Sequence, residues 1–223
     1  MGSVLSAVIF DLDGTLVDTP YVIVQTALAA LEEKGCAGPT ADAIRATIGL
    51  PLSIAFSGLL GLPEAHGNVQ GCVAEYRRLW RERVVPRSKE FLYPGVAEGI
   101  AELHRSGLRL GVATSKAQAG AVTQLEVAGI APYFEVVAGF DAVSRPKPEP
   151  DLALYVLDKL GLSPEATVMV GDTTHDLLMA RAAGLRAIAV TYGAQSEATL
   201  RAENPPYVAR DFAGVLAILK SLG

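Results

Sequence analysis

Residues 7–14 read AVIFDLDG, a short apolar run followed at once by two aspartates and a glycine. An uninterrupted apolar run rich in β-branched residues is typical of a strand buried on both faces of a parallel sheet. Helical patterns separate similar runs later in the chain, so the sequence predicts a doubly wound α/β sheet. The later predicted strands cover residues 108–113, 135–138, 167–170 and 186–190.

The chain between residues 17 and 87 interrupts this alternation, because it contains no good strand pattern. Helical patterns occupy residues 21–31, 41–47 and 73–84, and glycine and proline residues separate them. We therefore predict a helical cap domain, residues 17–87, inserted into a Rossmann-like α/β catalytic core. That core would consist of residues 1–16 and 88–223.

Composition limits the classes of function that fit this chain. Of its 223 residues, 50% are hydrophobic and 19% are charged, so a large core is expected rather than disorder. A net charge of −5 argues against a nucleic-acid partner, which needs a basic face. No apolar run reaches membrane length and no export signal is recognisable, so no membrane partner is expected. With two cysteines and no metal-type spacing, a cytoplasmic protein is expected. The sequence leaves open whether it is a monomer or a small homo-oligomer.

Polar residues follow each of the first four predicted strands. The carboxyl ends of parallel strands meet at one edge of a sheet, where the working site of an open α/β fold lies. We therefore expect these side chains to converge. They are Asp11 and Asp13 after the first strand, Thr114, Ser115 and Lys116 after the second, Lys147 after the third, and Asp172 and Asp176 after the fourth.

The chemistry of this set indicates a metal and an anionic substrate. Clustered carboxylates repel one another unless a cation lies among them, and hard oxygen ligands favour Mg²⁺. Lys147 and the Thr114 hydroxyl would then donate to a dianionic group. Carboxylates, Mg²⁺ and a lysine around one point are the parts that phosphoryl transfer needs.

Four segments at these strand ends resemble, in order, the four motifs of the haloacid dehalogenase superfamily. They read DLDGTLVDT at residues 11–19, ATSK at 113–116, RPKPEPD at 145–151 and VGDTTHD at 170–176. The branch resembled most is the phosphoglycolate phosphatase-like hydrolases, which carry a helical cap of the first type. The resemblance implies a phosphoric monoester hydrolase acting on a small, phosphoglycolate-like phosphorylated metabolite through an aspartyl phosphate.

The resemblance also implies roles for the residues of the first and fourth motifs. Asp11 would be the nucleophile, and Asp13 would protonate the leaving group and then activate water. Gly14 would allow backbone N–H groups to approach the phosphate. The Mg²⁺ ligands would be Asp11, the backbone carbonyl of Asp13 and Asp172. Asp176 would be a further acidic group, which either binds the metal directly or supports the metal waters or Lys147.

The remaining implied roles concern the phosphate and the leaving group. Thr114, Ser115 and Lys147 would bind the phosphoryl group. The cap would select the leaving group, and its contacts are expected around Gly49, with Arg45 as a further candidate.

Structural alternatives compete with some of these roles. Asp176, in the first turn of a predicted helix, could serve only to stabilise the helix dipole, and Thr114 could serve only as a helix cap. The basic patch around Trp80, which includes Arg77 and Arg81, is interpreted as a solvated cap helix. One of its arginines could still face the site and hold a substrate carboxylate or phosphate.

Two other functions compete with the phosphatase. β-Phosphoglucomutase-like phosphotransferases share the acid at the Asp13 position, but usually carry Glu-Asp where this chain has Gly171-Asp172. A signalling receiver domain also uses Asp, Thr and Lys around Mg²⁺, yet it has no large insertion after the first strand. Both features favour the hydrolase.

Overall fold

The computed structural model describes residues 5–36 and 38–223, so residues 1–4 of the predicted core and residue 37 of the predicted cap lie outside the described residues. Its centre is a parallel six-stranded sheet with the order β3-β2-β1-β4-β5-β6. The strands are β1 Ala7–Phe10, β2 Arg109–Ala113, β3 Val136–Ala138, β4 Thr167–Gly171, β5 Arg186–Val190 and β6 Tyr207–Ala209. The first five correspond to the predicted strands, and the sixth extends the sheet at one edge.

Strand β1 lies at the middle of the sheet, between β2 and β4. Phe10 pairs with Val112 on one side and with Val170 on the other. The three strands therefore end at nearly the same level. This register brings the residues that follow them to one edge of the sheet.

Helices cover both faces of the sheet, as the predicted doubly wound α/β fold requires. One buried apolar cluster contains Phe10, Val112 and Phe212, and a second cluster contains Ile9, Val156 and Met169. Successive residues of β1 therefore enter opposite clusters, because side chains alternate across a strand. The ten helices among the described residues are α1 Pro20–Glu33, α2 Ala41–Ala46, α3 Leu52–Leu60, α4 Gly67–Arg83, α5 Val96–Arg105, α6 Gln118–Ala128, α7 Asp151–Leu160, α8 Thr174–Ala182, α9 Glu197–Ala202 and α10 Phe212–Leu222.

Helices α1 to α4 form the insertion that follows β1 in the chain and precedes α5 and β2. They surround a third apolar cluster, which includes Leu31, Phe56, Leu79 and Trp80. Helix α3 was not predicted, and α4 begins before the predicted helix over residues 73–84. The insertion contains no strand among its described residues, and this observation is consistent with the helical cap predicted for residues 17–87. Among all described residues, no helix is long and apolar enough to cross a bilayer.

Candidate active site

The loop after β1 is built by backbone hydrogen bonds. Leu12 O accepts from the N–H groups of Leu16 and Val17, at 2.9 and 3.1 Å, and Gly14 N–H donates to Val17 O at 2.8 Å. Gly14 has a φ of +84°, and a Cβ at this position would overlap the Asp172 carboxylate. Only glycine therefore combines this turn with a close approach to Asp172.

Asp11, Lys147 and Asp176 form a buried ion cluster at the sheet edge. Lys147 Nζ lies 2.5 Å from Asp176 Oδ1 and 3.0 Å from Asp11 Oδ1, and all three side chains are almost completely buried. The contact to Asp11 is an ion pair outside hydrogen-bond geometry, so Asp11 Oδ1 accepts no hydrogen bond from a described residue. This buried oxygen keeps its lone pairs for another partner.

Asp176 combines the two roles that the sequence left as alternatives. Its Oδ2 accepts from Thr173 N–H at 3.0 Å and from the Thr173 hydroxyl at 2.7 Å, which completes a capping box at the start of α8. Its Oδ1 meanwhile accepts from Lys147. Asp176 thus stabilises the helix terminus and also holds the lysine against Asp11.

Asp172 is held from two other sides. Its Oδ1 accepts from the Thr15 hydroxyl at 2.9 Å and its Oδ2 from Ala194 N–H at 2.7 Å. The side chain has no exposed surface. Thr15 therefore links the β1 loop to the carboxylate that follows β4, and both carboxylate oxygens are fixed in position.

This arrangement fits a divalent cation. Oxygen atoms of Asp11, Asp172 and Asp176 lie within 4.8 Å of one another, and all three residues are buried. One positive side chain, Lys147, is in contact with this set, so the carboxylates outnumber the nearby cation. Hard oxygen donors grouped in this way suit Mg²⁺. Asp11 and Asp172 are the better placed ligands, because each oxygen of Asp172 accepts a single hydrogen bond, whereas Asp176 accepts three, one of them from the Lys147 ammonium.

The electrostatics of the cluster also indicate a site for a cation. Burial, reinforced by the Asp176 carboxylate, raises the pKa of Asp11 to about 7 although Lys147 opposes the shift. Burial and the neighbouring Asp11 carboxylate raise the pKa of Asp172 well above its ordinary value. Burial lowers the pKa of Lys147, but Asp11 and Asp176 outweigh that effect, so the pKa ends higher and the ammonium stays charged. A cation would let both aspartates ionise together.

The Asp13 side chain has partners outside this cluster. Its Oδ1 accepts from the Thr19 hydroxyl at 2.8 Å and its Oδ2 lies 2.7 Å from Lys116 Nζ. Lys116 also donates to Gln124 Oε1 at 2.8 Å and lies 4.2 Å from the centre of the Trp80 ring. Asp13 is thus held between the sheet edge and helix α4 of the insertion.

Thr114, Ser115 and Gly49 lie where the insertion meets the core. Thr114 is buried at the end of β2 and lines a cavity together with Asp11 and Asp13. The Ser115 hydroxyl donates to Gly49 O at 2.6 Å, which ties the core to the loop before α3. Arg45 is exposed on α2 and is not part of the cavity lining. Its role as a substrate contact stays a prediction without a supporting contact.

Four further residues support the site, although the sequence gave them no role. Thr15 holds Asp172, Thr173 holds Asp176, Thr19 holds Asp13, and Lys116 holds Asp13 against Trp80. Thr15, Thr19, Lys116 and Thr173 all stand inside the motif segments. Their position inside the motif segments could have indicated that they belong to the site. The partner of each residue could not be predicted, because it depends on the tertiary fold.

Comparison with known proteins points to one family. The sequence profile described as haloacid dehalogenase-like hydrolase matches residues 8–190. The protein named "Probable phosphatase IndB" of Dickeya dadantii is 46% identical over 96% of this chain and 94% of its own length. Pyrophosphatase PpaX of Halalkalibacterium halodurans is 34% identical over 96% of this chain and 97% of its own length. A solved haloacid dehalogenase-like hydrolase from Streptococcus pneumoniae has a TM-score of 0.80 and 30% identity, over 96% of this chain and 98% of that chain.

Proposed function

Because the chain belongs to the haloacid dehalogenase-like hydrolase family, we propose that it is a Mg²⁺-dependent phosphatase that hydrolyses a small phosphorylated metabolite through an aspartyl phosphate on Asp11. The names of two related proteins, a phosphatase and a pyrophosphatase, support hydrolysis of a phosphate ester or anhydride. The observation that carries the proposal is the buried cluster of Asp11, Lys147, Asp172 and Asp176.

In the first half-reaction, the residues of the cluster and Thr114 have separate roles. Asp11 Oδ attacks phosphorus and forms the new P–O bond, while the bond to the leaving oxygen breaks. Lys147 lies 3.0 Å from Asp11 and would neutralise charge on the nucleophile and on a phosphoryl oxygen. Thr114 would donate its hydroxyl to a second phosphoryl oxygen. Mg²⁺, when held by Asp11, Asp172 and the Asp13 backbone carbonyl, would offset the charge that these carboxylates and the phosphate share.

Asp13 would serve both half-reactions. Its side chain would give a proton to the leaving alkoxide and then take one from the water that attacks the aspartyl phosphate. Asp13 lines the same cavity as Asp11, so both carboxylates have access to one substrate. Lys116 and Thr19 hold the Asp13 carboxylate from two sides, which limits its orientations.

The phosphotransferase alternative has less support. A Cβ at Gly171 would overlap the Asp176 side chain, so the glutamate that usually occupies this position in the β-phosphoglucomutase-like branch would displace the partner of Lys147. The receiver-type switch has less support again, because helices α1 to α4 are inserted in the chain directly after β1. We propose that the enzyme works in the cytoplasm on a free metabolite.

The test is phosphate release from p-nitrophenyl phosphate with and without Mg²⁺. Activity should disappear in excess chelator and return when Mg²⁺ is restored, and the larger, more loosely coordinated Ca²⁺ should not replace it. Sustained turnover distinguishes the enzyme from a receiver. Full activity in excess chelator, or no turnover with Mg²⁺ on any phosphate ester or anhydride, would disprove the proposed function.

A further inference from the structure

A cavity extends from the catalytic carboxylates into the insertion. Its volume is about 510 Å³, and its lining includes Asp11, Asp13 and Thr114 at one end. Small-molecule sites have volumes of roughly 300–1,000 Å³. The space beside the nucleophile is therefore the size of a ligand pocket, and it adjoins the position where the leaving group of a substrate would lie.

The wall contributed by helices α1 to α3 of the insertion is apolar. Helices α1 to α3 contribute Ile23, Ile44, Leu52, Phe56 and Leu59 to the lining. The carboxylates in the lining are Asp11 and Asp13, and the Lys116 ammonium is already engaged by Asp13 and Gln124. Against the side chains of α1 to α3, away from Arg77 and Arg81 of α4, a second charge on the leaving group would therefore face apolar surface at a considerable desolvation cost.

Helix α4 supplies an aromatic surface. The rings of Tyr76 and Trp80 are stacked with centroids 5.5 Å apart, and Phe56 packs edge-on against Tyr76 at 6.2 Å. All three residues line the cavity. Aromatic walls favour a ring through offset-stacked or edge-to-face contacts.

Helix α4 contributes two charged side chains as well. Arg77 and Arg81 also line the cavity, but both are exposed, and neither forms a salt bridge with a described residue.

We propose that the leaving group of the substrate is a bulky, uncharged, ring-bearing alcohol that fills this apolar cavity. The inference rests on the proposed function and names its substrate class: a phosphomonoester whose alcohol is held by the aromatic and aliphatic side chains of the insertion. It departs from the phosphoglycolate-like substrate expected from the sequence, because glycolate would bring a carboxylate against those side chains and leave most of the cavity unfilled.

The experiment compares 2-phenylethyl phosphate, ethyl phosphate and phosphoglycolate with the wild-type enzyme and Mg²⁺. The first two are both unactivated alkyl esters, so the ratio of their kcat/KM values reports chiefly the ring. We expect 2-phenylethyl phosphate to exceed ethyl phosphate by at least about tenfold, since even one methylene in an apolar pocket changes specificity by about 10-fold or more. It should exceed phosphoglycolate by a similar factor.

The outcomes separate this inference from the function on which it rests. Equal or better use of ethyl phosphate or phosphoglycolate would overturn the inference, while Mg²⁺-dependent hydrolysis would still stand. If Arg77 or Arg81 instead bound an acidic leaving group, the enzyme would prefer phosphoglycolate, and this result too would overturn the inference. Failure to hydrolyse any of the three esters, or p-nitrophenyl phosphate, would instead count against the proposed function.

Two matched variants on α3 test whether the preference for 2-phenylethyl phosphate arises in the cavity. Leu52 lines the cavity, whereas Ile54 is 37% exposed and does not. Leu52→Asn should lower the ratio of kcat/KM for 2-phenylethyl phosphate to kcat/KM for ethyl phosphate about five- to tenfold, and Ile54→Asn should preserve the wild-type ratio. Activity on ethyl phosphate reports whether the variant is folded, and Leu59→Asn replaces Leu52→Asn if it is not. An unchanged ratio in the cavity variant, or an equal loss in Ile54→Asn, would overturn the assignment.

Discussion

The two sides of the active site are held together by different forces. At the sheet edge, the carboxylates of Asp172 and Asp176 have hydrogen-bond partners for both oxygens, and a buried lysine joins Asp176 to Asp11. Across the cavity, the insertion presents mainly aliphatic and aromatic side chains. Directional bonds fix charged groups to within fractions of an ångström, whereas apolar packing selects by size and shape. The sheet edge is therefore suited to the chemistry, and the insertion to the choice of leaving group.

The largest effect should come from the nucleophile. Asp11→Asn keeps the size of the side chain but removes the nucleophilic oxygen, so turnover of p-nitrophenyl phosphate and of 2-phenylethyl phosphate should fall by at least about 10⁴-fold, the order seen when a covalent nucleophile is removed. Phosphate release over hours measures the residual rate.

Asp18→Asn is the matched control for this change. It makes the same chemical substitution in the same loop, but Asp18 is exposed and outside the cluster. Its rate should stay within about threefold of wild type, as for most exposed substitutions. Comparable losses in both variants would mean that the loop is sensitive to any substitution and that Asp11 has no special role.

Asp13 should show an effect that depends on the leaving group. Asp13→Asn removes the proton shuttle, a contribution of about 10²- to 10⁴-fold, but keeps the backbone carbonyl and the side-chain size. Nitrophenolate needs little protonation, so phosphoryl transfer to Asp11 should continue while water attack on the intermediate stalls. Stopped-flow absorbance should record a burst of at most about one nitrophenolate per enzyme, followed by slow turnover. Wild-type turnover on both good and poor leaving groups would show that Asp13 is only structural.

Lys116 connects the two regions, and its effect should be smaller. Its ammonium contacts Asp13 and stands 4.2 Å from the Trp80 ring centre, so it orients the acid against helix α4. Lys116→Met keeps the aliphatic stem and removes the charge. The rate on ethyl phosphate should fall about tenfold, and the rate on p-nitrophenyl phosphate by less, because a misplaced acid affects poor leaving groups most.

Lys116→Arg tests whether the positive charge at this position is what the activity requires. An arginine retains the positive charge and should restore part of the rate on ethyl phosphate. If Lys116→Met lowered the rates on both esters by the same factor, Lys116 would act on phosphate binding or on folding instead of on Asp13.

The two regions also differ in how far the sequence predicted them. Strands β1 and β5 have the predicted bounds, because a continuous apolar run is a local signal. The convergence of Asp11, Lys147 and Asp172 followed from the rule that the ends of parallel strands share an edge, and the cluster confirms that they meet. Their catalytic roles stay predictions.

The insertion offered weaker local signals. Helix α3 has apolar residues on most of its circumference, so its periodicity does not distinguish it from a loop or a buried strand. Trp80 was assigned to a solvated helix together with its arginine neighbours, and this is wrong, because it is buried against Tyr76 and Lys116. Strand β6 was missed because a strand of three residues at a sheet edge, with two half-buried and one buried, carries almost no pattern. These features depend on contacts between distant parts of the chain.

The smallest predicted effect concerns stability at the sheet edge. Burial raises the pKa of Asp11 from 3.8 to about 7, so between these values the folded protein binds a proton that the unfolded chain releases. Without metal, this group therefore lowers the free energy of unfolding as pH rises from about 4 to about 7. Mg²⁺ should offset that loss, so the rise in Tm on adding Mg²⁺ should be larger at pH 8 than at pH 5.5, by about 3 °C for a change near 1 kcal/mol in a chain of this size. Thermal unfolding in chelator and in saturating Mg²⁺ measures the difference.

Asp11→Asn, which cannot titrate, should reduce the pH dependence of the Mg²⁺ effect, while Asp18→Asn should not. A Mg²⁺ effect equal at both pH values would indicate that the cation does not bind at the ionised Asp11 carboxylate, and would place it away from the nucleophile.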